Sequence, residues 1–231
     1  MKRIVIALIT TLLCQLASAS ANWELVREAK QRDDVKTWER PVPGNSLNAF
    51  KGIIEVPHNM LTVLAVLGDI EKFPEWVYQC DGANLLPEFG HDVAYVHIAG
   101  IWPVSARDIV TRTKLSQDPN TLTITMHSVA EPDLLPKQKG TVRLPALDNS
   151  FVLEPMADGW TRVTFETFVD PGGFIPSWLA NVVATRAPRD TLKGMYKMMA
   201  DEKYHIESAE QLPEQFEGTE KMAFPDSKVI Q

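Results

Sequence analysis

Arg107, Asp108 and Arg143 are the residues whose types and setting first suggest chemistry. Arg107 shares the alternation of a strand with Ile109, Thr111 and Thr113, so these side chains leave the same face. On an inner face, its guanidinium would either meet the polar head of a bound molecule or sit in an internal ion pair, since a buried arginine must be paired. Arg143 poses the same choice, with the structural role favoured. Asp108 has the opposite parity and is expected to fix a turn or a helix N-terminus. His97 and His127 fall on outward faces by alternation. His127 with Glu131, and His91 with Asp92, are neighbours in sequence only, and acid–base work has to be argued from geometry. The chain holds no nucleophile elbow, HExxH, Cys/His metal spacing or Gly-rich phosphate loop. Binding is therefore favoured over catalysis, with no cofactor and no metal expected.

The elements that position these residues follow from periodicity. A short amphipathic helix is expected over 22–30, then strands over 35–42 and 49–56 joined across Pro43-Gly44-Asn45-Ser46. Asn59 is placed to cap a helix that Gly68-Asp69 ends, and residues 73–77 form a second helical turn. Strands are predicted near 79–86, 92–99, 106–116, 121–130, 140–155 and 160–169. Ala94, Val96 and Ile98 share one face, and so do Leu122, Ile124 and Met126. From 176 to 206 the pattern turns helical, opening on Pro176 at the first turn. Trp178, Leu179, Val182 and Val183 lead a stripe that Leu192, Met195, Tyr196 and Met199 continue, with a kink or short break expected at Pro188. Roughly 30 helical residues would span about 45 Å, enough to lie across a whole curved sheet. The order of elements implies an α+β fold, an antiparallel sheet with its helices on one side. Whether the buried face is filled by protein or by a ligand is not decided by alternation.

Residues 1–19 read as a signal peptide: Lys2 and Arg3 lead an apolar run from Ile4 to Leu16, followed by Ala17-Ser18-Ala19 or Ala19-Ser20-Ala21 as a cleavage site. The run is short for a membrane anchor, and Leu13 before Cys14 argues against lipidation. An exported, periplasmic protein is expected. Losing Lys2 and Arg3 from 23 basic residues against 30 acidic ones leaves a formal net charge of −9, which opposes nucleic-acid binding. Cys80 is then the single cysteine, so no intrachain disulfide can form. The remaining length suits one domain, expected to be monomeric. The tail, 207–231, carries six acidic and two basic residues with no sustained apolar stripe, and is expected to be largely disordered.

Four separated motifs carry a family resemblance. They are Gly68-Asp69 with Phe73-Pro74-Glu75-Trp76, then Pro103-Val104-Ser105-Ala106-Arg107-Asp108, then the run from Pro136 to Arg143, and last the run from Asp170 to Leu179. In that order the chain resembles the START lipid-transfer domains of the helix-grip superfamily over 22–206. The resemblance implies a curved antiparallel sheet gripping a long C-terminal helix, with a hydrophobic tunnel for one lipid or other hydrophobic molecule between them. In phosphatidylcholine-transfer members an aromatic cage holds the choline; the matching positions here are Val96, Ile109 and Leu147, with Phe73 and Val77 on the phosphate side. In sterol-binding members a buried arginine stands where Thr113 stands here. None of these positions carries the family's recognition residue, although Thr113 could still donate to a hydroxyl. The ligand-binding residues are expected to include Trp76, Val96, Ile98, Trp102, Arg107, Ile109, Thr111, Thr113, Ile124, Met126, Leu147, Trp178 and Val182. Trp102, in an apolar connection, is either a core plug or an entrance lip in transient contact with a membrane surface. Superfamily relatives that are cyclases or hydrolases keep an enzyme as the alternative, and a ligand-responsive adaptor is a third reading.

Overall fold

The computed structural model describes residues 22–44, 47–213, 216 and 218–225. The expected leader, 1–19, lies outside them. Among the described residues, ten strands form one antiparallel sheet except for a short parallel pairing. They are β1 (Glu24–Arg27), β2 (Lys36–Pro41), β3 (Asn48–Val56), β4 (Cys80–Leu85), β5 (Val93–Ile98), β6 (Arg107–Gln117), β7 (Ile124–Ala130), β8 (Val142–Arg143), β9 (Ala146–Pro155) and β10 (Thr161–Asp170). The spatial order is β1-β2-β3-β10-β9-β7-β6-β5-β4, with β8 paired to β6. Helices α1 (Met60–Gly68) and α2 (Phe73–Trp76) follow β3, and α3 (Ser177–Met198) follows β10. No helix among the described residues is long and apolar enough to cross a membrane.

Local chemistry explains most boundaries. The Asn59 side chain accepts from the Thr62 N–H at 2.9 Å, capping α1. All nine residues of α1 are buried, because it packs beneath the sheet with no wet face. Gly172 and Gly173 have φ of +61° and +64°, a left-handed pair that turns the chain from β10 toward α3 at no Cβ cost. Helix α3 runs without interruption through Pro188, which is buried and lies against Gly52 of β3. The expected break at Pro188 is therefore absent, and the helix ends at Met198 rather than near 206.

Other expectations are also corrected. The predicted helix over 22–30 is instead the edge strand β1, in which Leu25 pairs with Trp38 of β2 and is half exposed. Its apolar spacing fits either element, and the open edge of β2 decides. The strand over 140–155 is split at Pro145, which has no N–H to donate to a ladder. Asp108 fixes neither a turn nor a helix: Arg143 Nη2 donates to its Oδ2 at 2.8 Å, with both side chains sealed from solvent. Arg143 Nη1 also donates to the carbonyls of Pro132 and Leu135, so the pair ties the 131–143 connection to the back of β6. The tail is not structureless where it is described. Leu212, Phe216 and Thr219 are buried, and Gln117 at the far end of β6 exchanges two hydrogen bonds with the Ala223 backbone.

The core lies where α1, the second half of α3 and this tail meet the sheet. Ile54, Leu64, Leu67, Ile124, Leu153, Leu192, Met195 and Met199 are almost fully buried there.

Candidate ligand-binding cavity

Between the sheet and α3 the packing opens into a cavity of about 350 Å³. Its walls follow directly from strand alternation. Ala94, Val96 and Ile98 face it from β5, and Arg107, Ile109, Thr111 and Thr113 from β6. Met126 and Ser128 of β7, Leu147, Asn149 and Phe151 of β9, and Phe165, Thr167 and Val169 of β10 continue the wall. Leu179, Ala180, Val183 and Ala187 of α3 close the open side, with Trp76 of α2 beside them. The lining is overwhelmingly apolar, as a site that recognises hydrophobic material requires.

The two ends differ. At one end the 99–106 connection and the turn after β10 lie side by side, contributing Ile101, Val104, Pro171 and Ile175 to the wall. Arg107 binds them together: its Nη1 donates to the Ser105 carbonyl, while Nε and Nη2 donate to the carbonyls of Pro171 and Gly172, each at 3.3 Å. The guanidinium therefore has backbone acceptors and no carboxylate partner among the described residues. Burial lowers its pKa from the ordinary value. At the other end Met126, Phe151 and Phe165 form a floor, with the two phenylalanine rings stacked at 4.5 Å. Phe216 from the tail joins this floor.

Of the wall residues expected from sequence, Trp76, Val96, Ile98, Arg107, Ile109, Thr111, Thr113, Met126 and Leu147 line the cavity. Ile124 has the right parity but lies below the floor, fully buried in solid core. Trp178 and Val182 stand on the outer flank of α3, 57% and 38% exposed, while Leu179 and Val183 beside them face in. Two apolar columns run side by side along this helix, so periodicity alone does not say which one turns inward. Trp102 does not touch the cavity and is 88% exposed, which removes the core-plug reading.

Phe216 carried no signal beyond being one of two aromatics, with Phe224, in an acidic tail. Ser128, Asn149 and Thr167 were findable by parity, since each lies two residues from an apolar inward position. Of the histidines weighed from sequence, His91 lines the cavity beside Asp92, and His97 and His127 do not. His97 meets Asp81 and His127 meets Asp148, both at the surface, and Arg112 engages Asp92 and Glu131.

The START domain family profile matches residues 3–203. This chain belongs to the START domain family. Over 175 residues it is 34% identical to an uncharacterized protein of Pseudomonas aeruginosa, covering 75% of this chain and 85% of that one. It is 31% identical to the phosphatidylcholine transfer protein of Mus musculus, covering 82% of this chain and 88% of the relative. Among solved structures it is similar to a STAR-related lipid transfer protein fragment from Xanthomonas axonopodis, with a TM-score of 0.70 and 32% identity. That match covers 78% of this chain and 99% of the other. Human StAR-related lipid transfer protein 5 shares the START fold, with a TM-score of 0.66 at 19% identity and coverage of 80% and 89%. The tail beyond residue 203, including Phe216, falls outside the START profile.

Proposed function

We propose that this START domain binds a single lipid or other hydrophobic molecule in its cavity and carries or transfers it through the cell envelope. The carrying observation is the apolar cavity itself, walled by alternate residues of five neighbouring strands and closed by one helix. The lipid-transfer relatives support the same reading. The leader-like pattern of residues 1–19 supports export to the periplasm, and nothing in the acidic chain favours nucleic acid. The charged groups on the wall are already engaged, Arg107 by carbonyls and Asp92 by Arg112, which favours carriage over acid–base catalysis.

Exchange of cargo would take place at the Arg107 end. Trp102, Phe174 and Trp178 are exposed by 88%, 84% and 57% on the two connections and the helix start that frame it. Aromatic side chains held out in this way suit the interfacial zone of a bilayer, so transient membrane contact there accompanies opening.

The test is native mass spectrometry of protein purified without detergent, with organic extraction of what is bound. Thr111→Trp fills the middle of the cavity and should lower the bound lipid while the domain still melts cooperatively. Unchanged lipid load in a cooperatively folded Thr111→Trp protein overturns the assignment of the cavity as the lipid site.

A further inference from the structure

One row of the cavity wall breaks its apolar character. Thr113 of β6 pairs with Ser128 of β7, Ser128 with Asn149 of β9, and Asn149 with Thr167 of β10. Four consecutive strands thus present a polar side chain to the cavity at one level. The row on the floor side, in the same register, is Leu115, Met126, Phe151 and Phe165. The row on the mouth side holds Thr111 opposite Ala130 and Leu147 opposite Val169, so Thr111 is its one polar member among these. A polar step that runs across four strands has no use in a cavity that receives only hydrocarbon, because its groups then go without partners.

The step is incompletely satisfied from within. Thr113 Oγ1 and Ser128 Oγ lie 2.8 Å apart and serve each other. Asn149 Oδ1 is buried with no hydrogen-bond partner among the described residues. The four side chains are all uncharged, and the nearby carboxylate of Asp92 is held by Arg112 at 2.7 Å. The unengaged capacity of these four side chains is therefore neutral, and at Asn149 Oδ1 it calls for a donor; the imidazole of His91, beside Asp92, also lines the cavity. Arg107, the cationic group of the wall, is six residues from Thr113 along β6, about 20 Å at roughly 3.3 Å per residue.

We infer that Thr113, Ser128, Asn149 and Thr167 form a hydrogen-bonding subsite for an uncharged lipid that carries a hydroxyl or amide N–H. The subsite rests on the cavity being the lipid site, and it adds what that lipid must present. A hydroxyl donates to Asn149 Oδ1 and accepts from a threonine or serine hydroxyl of the row. An ester or ether oxygen can only accept: it can take an N–H of the Asn149 amide or a hydroxyl of the row, but it leaves Asn149 Oδ1 without a donor. An anionic head would be placed among neutral groups, far from Arg107, and would lose its solvation with no countercharge. Ligands of one chain length are thus ranked by the donor they carry.

The experiment is displacement of the neutral dye Nile red from the full mature protein by 1-dodecanol, its methyl ether and dodecanoate. The alcohol should displace dye at a concentration about tenfold below the ether, the order expected when a buried polar group gains its partner. In Asn149→Leu and in Thr167→Val the gap should shrink to threefold or less, with the ether unchanged. Ligand-free Asn149→Leu should melt no lower than the parent, because it removes an unpartnered buried oxygen; a marked loss of stability overturns the claim that this oxygen is unserved. Equal displacement by alcohol and ether in the parent overturns the subsite while leaving the cavity reading intact. So does a tenfold gap that survives both substitutions, or dodecanoate displacing best. Failure of Nile red and all three ligands to bind overturns the cavity reading itself, and the subsite with it.

Discussion

Gly194 of α3 lies against the backbone of Trp76 in α2, so close that a Cβ in its place would stand 2.6 Å from the Trp76 carbonyl oxygen and 2.9 Å from its Cα. A second close approach, between Leu192 and Gly52 of β3, lies half a turn earlier on the same helix. Together they seat the second half of α3, where Leu192, Met195 and, at the C-cap, Met199 are fully buried. The first half covers the cavity and leaves Trp178 and Val182 in solvent. One helix thus combines an anchored end with a covering end, and Pro188, which removes one helical hydrogen bond, stands between them.

Gly194→Ala should therefore destabilise the domain. The neighbour it meets is backbone, which cannot rotate away, and overpacking of this kind costs about 1–3 kcal/mol. For a chain of this size that corresponds to a fall of several degrees in melting temperature. An unchanged thermal transition would show that α2 and α3 are not seated as described.

The exposed aromatic rim makes a kinetic prediction. Trp102→Ala and Phe174→Ala remove side chains that are mostly in solvent, so stability should change by no more than about 0.5 kcal/mol. Transfer of lipid between vesicles should slow, with the identity of the bound lipid unchanged. Parental transfer rates in the double substitution would rule out this rim as the exchange site.

The tail makes an equilibrium prediction. Truncation after Ile206 strips Leu212 and Phe216 from the core, and each buried side chain of this size contributes about 1.5–3 kcal/mol. Phe216→Ala alone should cost roughly 2–3 kcal/mol, toward or below the low end for a phenylalanine because one side of the ring faces the cavity. Denaturant unfolding measures both. A truncated protein as stable as the parent would refute the docking of the tail.

The stability should also fall in mild acid. His58 is half buried, with its ring 5.5 Å from that of His205 and 6.2 Å from that of Tyr196. Burial, and then the neighbouring His205, lower its pKa from the ordinary 6.5. A base whose folded pKa is depressed takes up protons more readily when unfolded. Its native state is accordingly at full strength above about pH 6.5 and loses stability as the pH falls through that value. His58→Gln should flatten this dependence between pH 7.5 and 5. Below about pH 4 the loss should steepen again, because the Arg27 guanidinium, supported by Lys193 and backbone N–H groups, holds the Asp34 carboxyl well below its usual range. Denaturation midpoints taken across this range would expose a curve with the opposite slope.

Strand and turn chemistry were legible because they are local. Asn59 caps α1, the predicted strands over 49–56, 106–116 and 160–169 appear at β3, β6 and β10, and period-two alternation placed Arg107, Ile109, Thr111 and Thr113 on one inner face. What alternation does not carry is depth. Met126 and Ile124 share a face, yet one lines the cavity and the other lies in solid core, because the floor is built by Phe151, Phe165 and Phe216 from distant parts of the chain. The same holds for Trp178 against Leu179, two apolar columns of one helix whose orientation is decided by the close approach of Gly194 to Trp76. The edge strand β1 and the packed tail required partners that only the assembled sheet and core supply. Face and turn follow from neighbours within a few residues, whereas depth, helix rotation and docking follow from side chains that meet only after the chain has folded.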